Sequence, residues 1–213
     1  LIADCPDEPV TPFIFKYFAP GSKLLEAGCG SGRFVYWLTE KGYDVEGMEI
    51  SPETVATLHR VYPHLKIRTG DVRTLPYPDN AFDGILSLGV IEHVFEGMAV
   101  PIQEMHRVLK SGGVALVIVP SHNLVRRIKH HTGLAQMRAL VELLKELGFL
   151  RRIFGKPICP KTTVPQPTRP PSFHRWPMYG TFCEYRLTKS EFEQELTAQG
   201  FAVVDQHTLK LRD

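Results

Sequence analysis

The sequence has few cysteines and no long apolar run. Among its 213 residues there is no uninterrupted apolar stretch near the 18 or so that a membrane-spanning helix needs. The acidic first residues also lack the basic start and apolar middle of a signal peptide. The four cysteines form no C-x-x-C pair and are too sparse to staple a secreted domain. These absences predict a cytoplasmic protein with unpaired thiols.

The sequence also has little net charge, +2 in all. That balance hides two regions of opposite sign: residues 121–187 hold twelve Lys and Arg against three acids, a local +9, which leaves −7 elsewhere. The basic region favours an anionic substrate or surface, although a solvated basic face without a partner is equally open. Nucleic acid is not the favoured partner, because no nucleic-acid-binding module is recognisable and the pI of about 8.4 is not strongly basic.

A glycine-rich turn follows a short apolar run at residues 24–32. Such a turn lets the backbone approach a nucleoside-bearing ligand at the carboxyl end of a buried strand. Glu26 stands in front of the turn, where it would repel a pyrophosphate and attract a ligand with positive charge. Arg33 occupies the last glycine position of G-x-G-x-x-G, which disfavours a nicotinamide dinucleotide. The small residues of the turn are Gly28, Cys29, Gly30 and Gly32.

Two further acids end the next two predicted strands. Glu49 follows Gly32 by seventeen residues, a place suited to accept hydrogen bonds from two ribose hydroxyls. Asp71 ends the third strand. Three successive strands therefore each end in an acid at what should be one edge of one sheet. Pyrophosphate dinucleotides give no reason for this, whereas a sulfonium nucleoside with an amino group, a ribose and an adenine amine does.

Strand and helix patterns alternate from residue 23 onward. This alternation predicts an α/β fold: a doubly wound, Rossmann-like, mostly parallel sheet with helices on both faces and a ligand crevice at its carboxyl edge. Ser51 and Pro52 mark a helix start, because serine caps and proline suits the first helical position. The predicted strands are 23–28, 43–49, 65–69, 82–88 and 113–119, and the predicted helices are 32–41, 52–61 and 98–109.

We predict a single domain over residues 1–213. A helical and proline-rich insert follows the fifth strand: residues 135–147 carry an apolar face at period 3.6, and prolines from Pro157 to Pro177 are expected to exclude regular structure. Beyond it we expect a last helix and a strand at 201–208. The divisions are an N-terminal cover segment at 1–22, a cofactor-binding core at 23–120, the basic insert at 121–187 and the final helix and strand at 188–213.

Five segments in order resemble the class I S-adenosylmethionine-dependent methyltransferases, and most closely the group acting on small molecules and lipids. They are residues 24–32, Glu49, residues 70–72, residues 82–87 and residues 109–113. The resemblance implies S-adenosyl-L-methionine as cofactor and S-adenosyl-L-homocysteine as product. It implies that Glu26 and the glycine turn hold the methionine end, Glu49 the ribose, and Asp71 with the Val72 amide the adenine. Ile50, Ser87, Leu88 and Gly89 complete the expected cofactor-binding set.

Catalysis is harder to assign, since methyl transfer needs no covalent enzyme intermediate. His93 follows the fourth strand and is the candidate proton acceptor, while the alternative is that Glu92 and His93 cap the loop and pack over the cofactor. The pair is similar to a carboxylate-histidine metal cluster of ubiquinone-type O-methyltransferases. Gly89 stands where a further acid would be expected, so no metal is predicted. The candidate substrate-binding residues are Tyr17, His122 and Tyr185.

The expected acceptor is an anionic small molecule or a lipid-linked molecule. Basic residues beside the helix at 135–147 favour peripheral membrane contact, whereas two acids on that helix speak against deep insertion. The alternatives are a methyltransferase acting on RNA and a binding protein that keeps the cofactor pocket without turnover. No pattern indicates an oligomeric state.

Overall fold

The computed structural model describes residues 2–121, 174–178 and 181–208, and its main feature is a five-stranded parallel sheet. The strand order is β3-β2-β1-β4-β5, and each neighbouring pair runs parallel. The predicted doubly wound fold is therefore confirmed. The strands are β1 Lys23–Ala27, β2 Asp44–Glu49, β3 Lys66–Thr69, β4 Phe82–Leu88 and β5 Leu109–Ile118.

Two of the five helices given below, the third and the fifth, begin after a residue whose side chain caps the helix. The Ser51 hydroxyl accepts a hydrogen bond from the Thr54 amide, and Thr188 forms a capping box with Glu191. Among the described residues, no helix is long and apolar enough to cross a membrane. The helices are α1 Thr11–Tyr17, α2 Arg33–Glu40, α3 Pro52–Val61, α4 Ala99–Val108 and α5 Lys189–Ala198, with short 3₁₀ turns at Cys5–Asp7 and Ile91–His93.

The central strand β1 is buried on both faces. Leu24 packs into an apolar cluster with Phe34 of α2, whereas Leu25, the next residue, packs into a second cluster with Ile102 of α4. Successive strand residues point to opposite faces, so helices must cover the sheet on both sides. From β1 the chain adds β2 and β3 on one side and then β4 and β5 on the other, so the strand order reverses at β1. This reversal leaves a crevice beyond the carboxyl end of β1.

The end of the insert departs from the prediction. His174–Met178 (β6) pairs antiparallel with Thr181–Arg186 (β7), so the expectation that prolines exclude regular structure as far as Pro177 is wrong at this point. Pro177 lies at a shift of register in this two-stranded sheet, where a residue without an N–H is tolerated. The helix predicted at 135–147 and the rest of the proline tract lie outside the described residues.

The strand predicted at 201–208 is also wrong, because these residues have no strand structure. The polar contacts of this segment go to α1 and to Lys189 of α5 instead of to the neighbouring sheet edge. The Asp205 carboxylate accepts hydrogen bonds from Lys16 Nζ at 2.7 Å and from the Tyr17 hydroxyl at 2.9 Å. Phe201 packs edge-on against His106 of α4. The segment thus joins the N-terminal cover to the body of the domain through side chains.

Candidate functional site

A cavity of about 640 Å³ opens beyond the carboxyl ends of the central strands. Its size is within the range of small-molecule and cofactor sites. It brings together Glu26, Glu49 and Asp71, the three acids that the sequence placed at strand ends. The other sequence-predicted residues that line it are Gly28, Cys29, Gly30, Ile50, Val72, Leu88, Gly89 and His93.

Two predicted cofactor-binding residues lie outside the lining. Gly32 caps α2 with a φ of +67°, and its Cα faces the side chain of Ile67, so its place in the turn is structural. Ser87 is fully buried within β4.

The glycine turn is fixed by backbone geometry. Gly28 has a φ of +86°, and a Cβ there would stand 2.5 Å from a methyl carbon of Val90. The amides of Gly28 and Cys29 both donate to the Met48 carbonyl at 2.8 Å, which ties the turn to the end of β2. Only glycine combines this conformation with so close an approach. The turn therefore presents bare backbone to the cavity.

Glu26 is the most buried acid of the cavity, at 4% exposure. Its Oε2 has no hydrogen-bond partner among the described residues. Burial raises the pKa of this carboxyl to about 8, against smaller lowering effects of the Val35 backbone and Arg33. A buried polar atom without a partner calls for an explanation, and a bound cation supplies one. Because its pKa is raised to about 8, the carboxyl without a ligand is mostly protonated at neutral pH.

Glu49 is held in place by two backbone amides. Its Oε2 accepts from Gly30 at 3.0 Å, and its Oε1 accepts from Ser51 at 3.0 Å. A carboxylate has about four acceptor positions. Two positions therefore remain for a ligand, which matches a pair of neighbouring hydroxyls.

Asp71 is held by a side chain that no motif in the sequence singles out, Arg73. The guanidinium donates to both oxygens of Asp71, with Nη2 at 2.6 Å from Oδ2, and the Arg73 amide donates to Oδ1 at 2.8 Å. These contacts, the guanidinium first, hold the pKa of Asp71 below its ordinary value. The same guanidinium reaches Glu96 at 3.2 Å. The only sequence signal for this network was the Asp-x-Arg spacing.

The wall after β4 carries the candidate proton acceptor. His93 lines the cavity with half of its side chain exposed, and its Nε2 lies 4.0 Å from Glu92 Oε1. Glu92 is buried, its Oε2 has no hydrogen-bond partner among the described residues, and burial raises its pKa to about 7. Within the described ranges, no group of three His, Cys, Asp or Glu could hold a metal ion.

Of the predicted substrate-binding residues, the two that the structure describes, Tyr17 and Tyr185, are not in the cavity lining. Tyr17 bonds to Asp205, and Tyr185 is buried and donates its hydroxyl hydrogen to the Phe95 carbonyl at 2.7 Å. Since Phe95 lines the cavity, Tyr185 supports the wall from behind. His122 lies outside the described residues.

Comparison with known proteins gives the site its context. Residues 25–117 match the family model of a methyltransferase domain. Over 135 residues the chain is 34% identical to a probable S-adenosylmethionine-dependent methyltransferase of Mycolicibacterium smegmatis, covering 61% of this chain and 52% of that protein. Residues 25–117 are therefore similar to the methyltransferase domain of S-adenosylmethionine-dependent enzymes. The resemblance seen in the sequence is thereby confirmed.

Two further matches define the extent of the likeness. The demethylmenaquinone methyltransferase of Chlorobaculum parvum is 33% identical over 99 residues, which are 46% of this chain and 41% of that protein. A methyltransferase structure from Methanosarcina mazei, 22% identical, superposes with a TM-score of 0.58 over 88% of this chain and 83% of that one and shows the shared fold. The chain spans about half the length of the curated relatives it matches.

The cavity fits S-adenosylmethionine, the cofactor named for the relative to which residues in this region are similar. Glu26 keeps one buried oxygen without a partner among the described residues for a cationic group, and Gly30, where a Cβ would meet nothing within 4 Å, lets a ligand approach the backbone of the turn. Glu49 keeps two acceptor positions for hydroxyls. S-adenosylmethionine carries both kinds of group on one molecule.

Proposed function

We propose that the protein transfers a methyl group from S-adenosylmethionine to an anionic small-molecule or lipid-linked acceptor. The observation that carries this proposal is the buried carboxylate of Glu26, without a partner on one oxygen, in the same cavity as Glu49 and Asp71. A site for a pyrophosphate would not place an acid beneath its glycine turn. A site for a cationic nucleoside gains from one.

Each acid binds a different part of the cofactor in this proposal. Glu26 binds the ammonium of the methionine end, Glu49 the two ribose hydroxyls, and Asp71 with the Val72 amide the adenine edge. Hydrogen bonds to ionised groups contribute roughly 1.5–3 kcal/mol each. The contact of Glu26 therefore favours this cofactor over an uncharged adenine nucleoside, whereas Glu49 and Asp71 bind the ribose and the adenine that both ligands carry.

The bound sulfonium supplies an already activated methyl group. The chain contributes alignment and exclusion of water: Val90, Val94 and Phe95 form the apolar wall beside the cavity opening. Holding an acceptor atom in line with its target lowers a barrier by as much as about 7–11 kcal/mol in well-oriented cases. Direct in-line displacement on this surface needs no covalent bond to the protein.

His93 accepts the proton of an acceptor that must lose one. Its side chain lies on the cavity wall and half in solvent, so a proton taken from the acceptor passes readily to water. We expect H93A to lower turnover at least about tenfold, since general base catalysis contributes about that much or more. Binding of S-adenosylhomocysteine, measured by calorimetry, should change less than about twofold. Equal turnover of H93A and the wild type would show that His93 is not the proton acceptor.

Two observations support the proposed class of acceptor: the charge of residues 121–187 and the name of one relative. The net +9 of this region attracts an anion, and one relative is named for a quinone, demethylmenaquinone. The test is to incubate the protein and methyl-labelled S-adenosylmethionine with a cell extract and to profile the labelled products. Label in an acidic small molecule or a lipid supports the proposal. Label in RNA, or no labelled product while S-adenosylhomocysteine binds, contradicts it.

A further inference from the structure

Asp71 and Glu49 keep different numbers of acceptor positions for a ligand. Glu49 accepts from two backbone amides and keeps two of its about four positions. Asp71 accepts from three N–H groups, all of them on Arg73: the backbone amide to Oδ1, Nε shared between Oδ1 at 3.1 Å and Oδ2 at 3.0 Å, and Nη2 to Oδ2. Asp71 therefore keeps about one. The one acceptor position left on Asp71 can bind a single N–H group, and the two left on Glu49 can bind a pair of hydroxyls.

Arg73 also connects two walls of the cavity. Its Nη1 lies 3.2 and 3.3 Å from the two Glu96 oxygens. Glu96 belongs to the wall at residues 90–96, which lies between Gly89 and Gly97, both with φ in the left-handed region. Asp71 belongs to the opposite wall, at the end of β3. One guanidinium thus connects Asp71, which follows β3, with Glu96, which follows β4.

Fold stability does not explain this network. The side chains of Arg73 and Glu96 are 43% and 61% exposed, and ion pairs this exposed contribute little to folding. Arginine is the side chain suited to the observed geometry, because its planar fork binds both oxygens of one carboxylate and still presents a third nitrogen to another. The position of the network, on the cavity lining, indicates a role in ligand binding.

We propose that Arg73 is the positioning residue that sets base specificity. It fills three of the acceptor positions of Asp71 and leaves one for the exocyclic amine of adenine, and through Glu96 it holds the opposite wall against the nucleoside. This inference rests on the proposed function only in that the cavity binds S-adenosylmethionine and S-adenosylhomocysteine. It adds two roles: Arg73 selects the base, and its contact with Glu96 slows the release of the bound nucleoside.

The first test compares two ligands that differ in one group. S-adenosylhomocysteine offers an amine at the base edge, and its deaminated analogue S-inosylhomocysteine offers a carbonyl. In R73Q we expect the preference for S-adenosylhomocysteine over the inosyl analogue, the ratio of their dissociation constants, to fall at least about fivefold, because both ligands lose the bridge to Glu96 but only the amine uses the oriented Asp71. R60Q, an exposed arginine on α3 outside the cavity lining, is the matched control and should leave both constants unchanged.

A purely structural role for Arg73 would weaken both ligands by the same factor. Equal weakening of the two ligands in R73Q, or no weakening, overturns the proposal. R73K gives a second check, since a lysine keeps the charge but cannot hold both oxygens in the same plane, and it should restore the preference only in part. Failure of the wild-type protein to bind S-adenosylhomocysteine at all would instead contradict the proposed function.

The second test addresses the bridge to Glu96. In E96Q we expect S-adenosylhomocysteine to dissociate at least about threefold faster in stopped-flow measurements, while the preference for it over the inosyl analogue stays as in the wild type. Glu96 is largely exposed, so the variant should fold. An unchanged dissociation rate would refute the bridging role.

Discussion

At one end of the cavity Glu26 is buried and keeps an oxygen without a partner among the described residues, whereas at the other end Asp71 is held by Arg73 at a solvent-exposed edge. Burial raises the pKa of Glu26 to about 8, and the Arg73 guanidinium lowers that of Asp71. Two acids that look alike in the sequence are thus in opposite protonation states near neutral pH.

The difference separates two ways of recognising one ligand. In the proposed function the buried end selects by charge, because an ammonium there would restore the ionised form of Glu26 and pair with it away from water. The exposed edge cannot gain much from charge, because solvent screens it. It selects by the number and direction of the acceptor positions that remain. We therefore expect changes at the buried end to have larger effects than changes at the exposed edge.

The largest effect is expected from E26Q. Glutamine has the same shape as the protonated glutamic acid and cannot ionise, so the variant should fold well and lose its partner for the ammonium. Removing one member of a buried ion pair costs about 3–5 kcal/mol, so affinity for S-adenosylhomocysteine should fall roughly 100-fold or more in calorimetry.

If E26Q bound S-adenosylhomocysteine as tightly as the wild type, the buried end of the cavity would not select by charge. A matched control is E49Q, which keeps the acceptor for one backbone amide and lies at the less buried ribose position. It should weaken binding less than E26Q does, because its role depends on hydrogen bonds more than on charge.

A smaller loss of S-adenosylhomocysteine affinity is expected from G28A. Comparison with G21A separates its two causes, backbone strain and the close contact with Val90. Both glycines have φ near +87°, but a Cβ at Gly21 meets nothing within 4 Å whereas one at Gly28 meets Val90 at 2.5 Å. Each substitution costs about 1 kcal/mol of backbone strain. G28A should in addition displace the Val90 wall and weaken S-adenosylhomocysteine binding about tenfold, with G21A close to the wild type.

Thermal melting of both variants provides the check on stability. G21A should lower the melting temperature by about 2–4 °C, as a cost of about 1 kcal/mol does in a chain of this length, and G28A should lower it further. Equal melting temperatures and equal affinities for the two variants would show that the close approach of Gly28 to Val90 has no role in the site.

The parts predictable from the sequence were those that depend on local pattern. Alternation of apolar strands and amphipathic helices fixes a parallel sheet, and the sheet's geometry then brings Glu26, Glu49 and Asp71 to one cavity. The burial of Glu26 follows as well, since it lies inside an apolar run at the centre of the sheet.

The remaining features depend on contacts between distant segments. The burial of Glu92 arises because chain far along the sequence covers the turn at Ile91–His93, with Glu184 of β7 near enough to affect its pKa. The segment 201–208 has a strand-like pattern, but Asp205 binds Lys16 and Tyr17 instead. Arg73 is an ordinary surface arginine by sequence, and only the fold shows that Glu96 is within its reach.

The most direct test of the account is the number of protons released when S-adenosylhomocysteine binds at pH 7. Ligand-free Glu26, with its pKa raised to about 8, carries a proton at pH 7, and an ammonium beside it requires the carboxylate, so binding should release close to one proton. For the same reason affinity should fall as the pH drops below about 8. Calorimetry in two buffers of different ionisation enthalpy measures this number, which should be near one for the wild type and near zero for E26Q. Tight binding to the wild type without proton release would contradict the assignment of Glu26 as the acid that receives the cationic end.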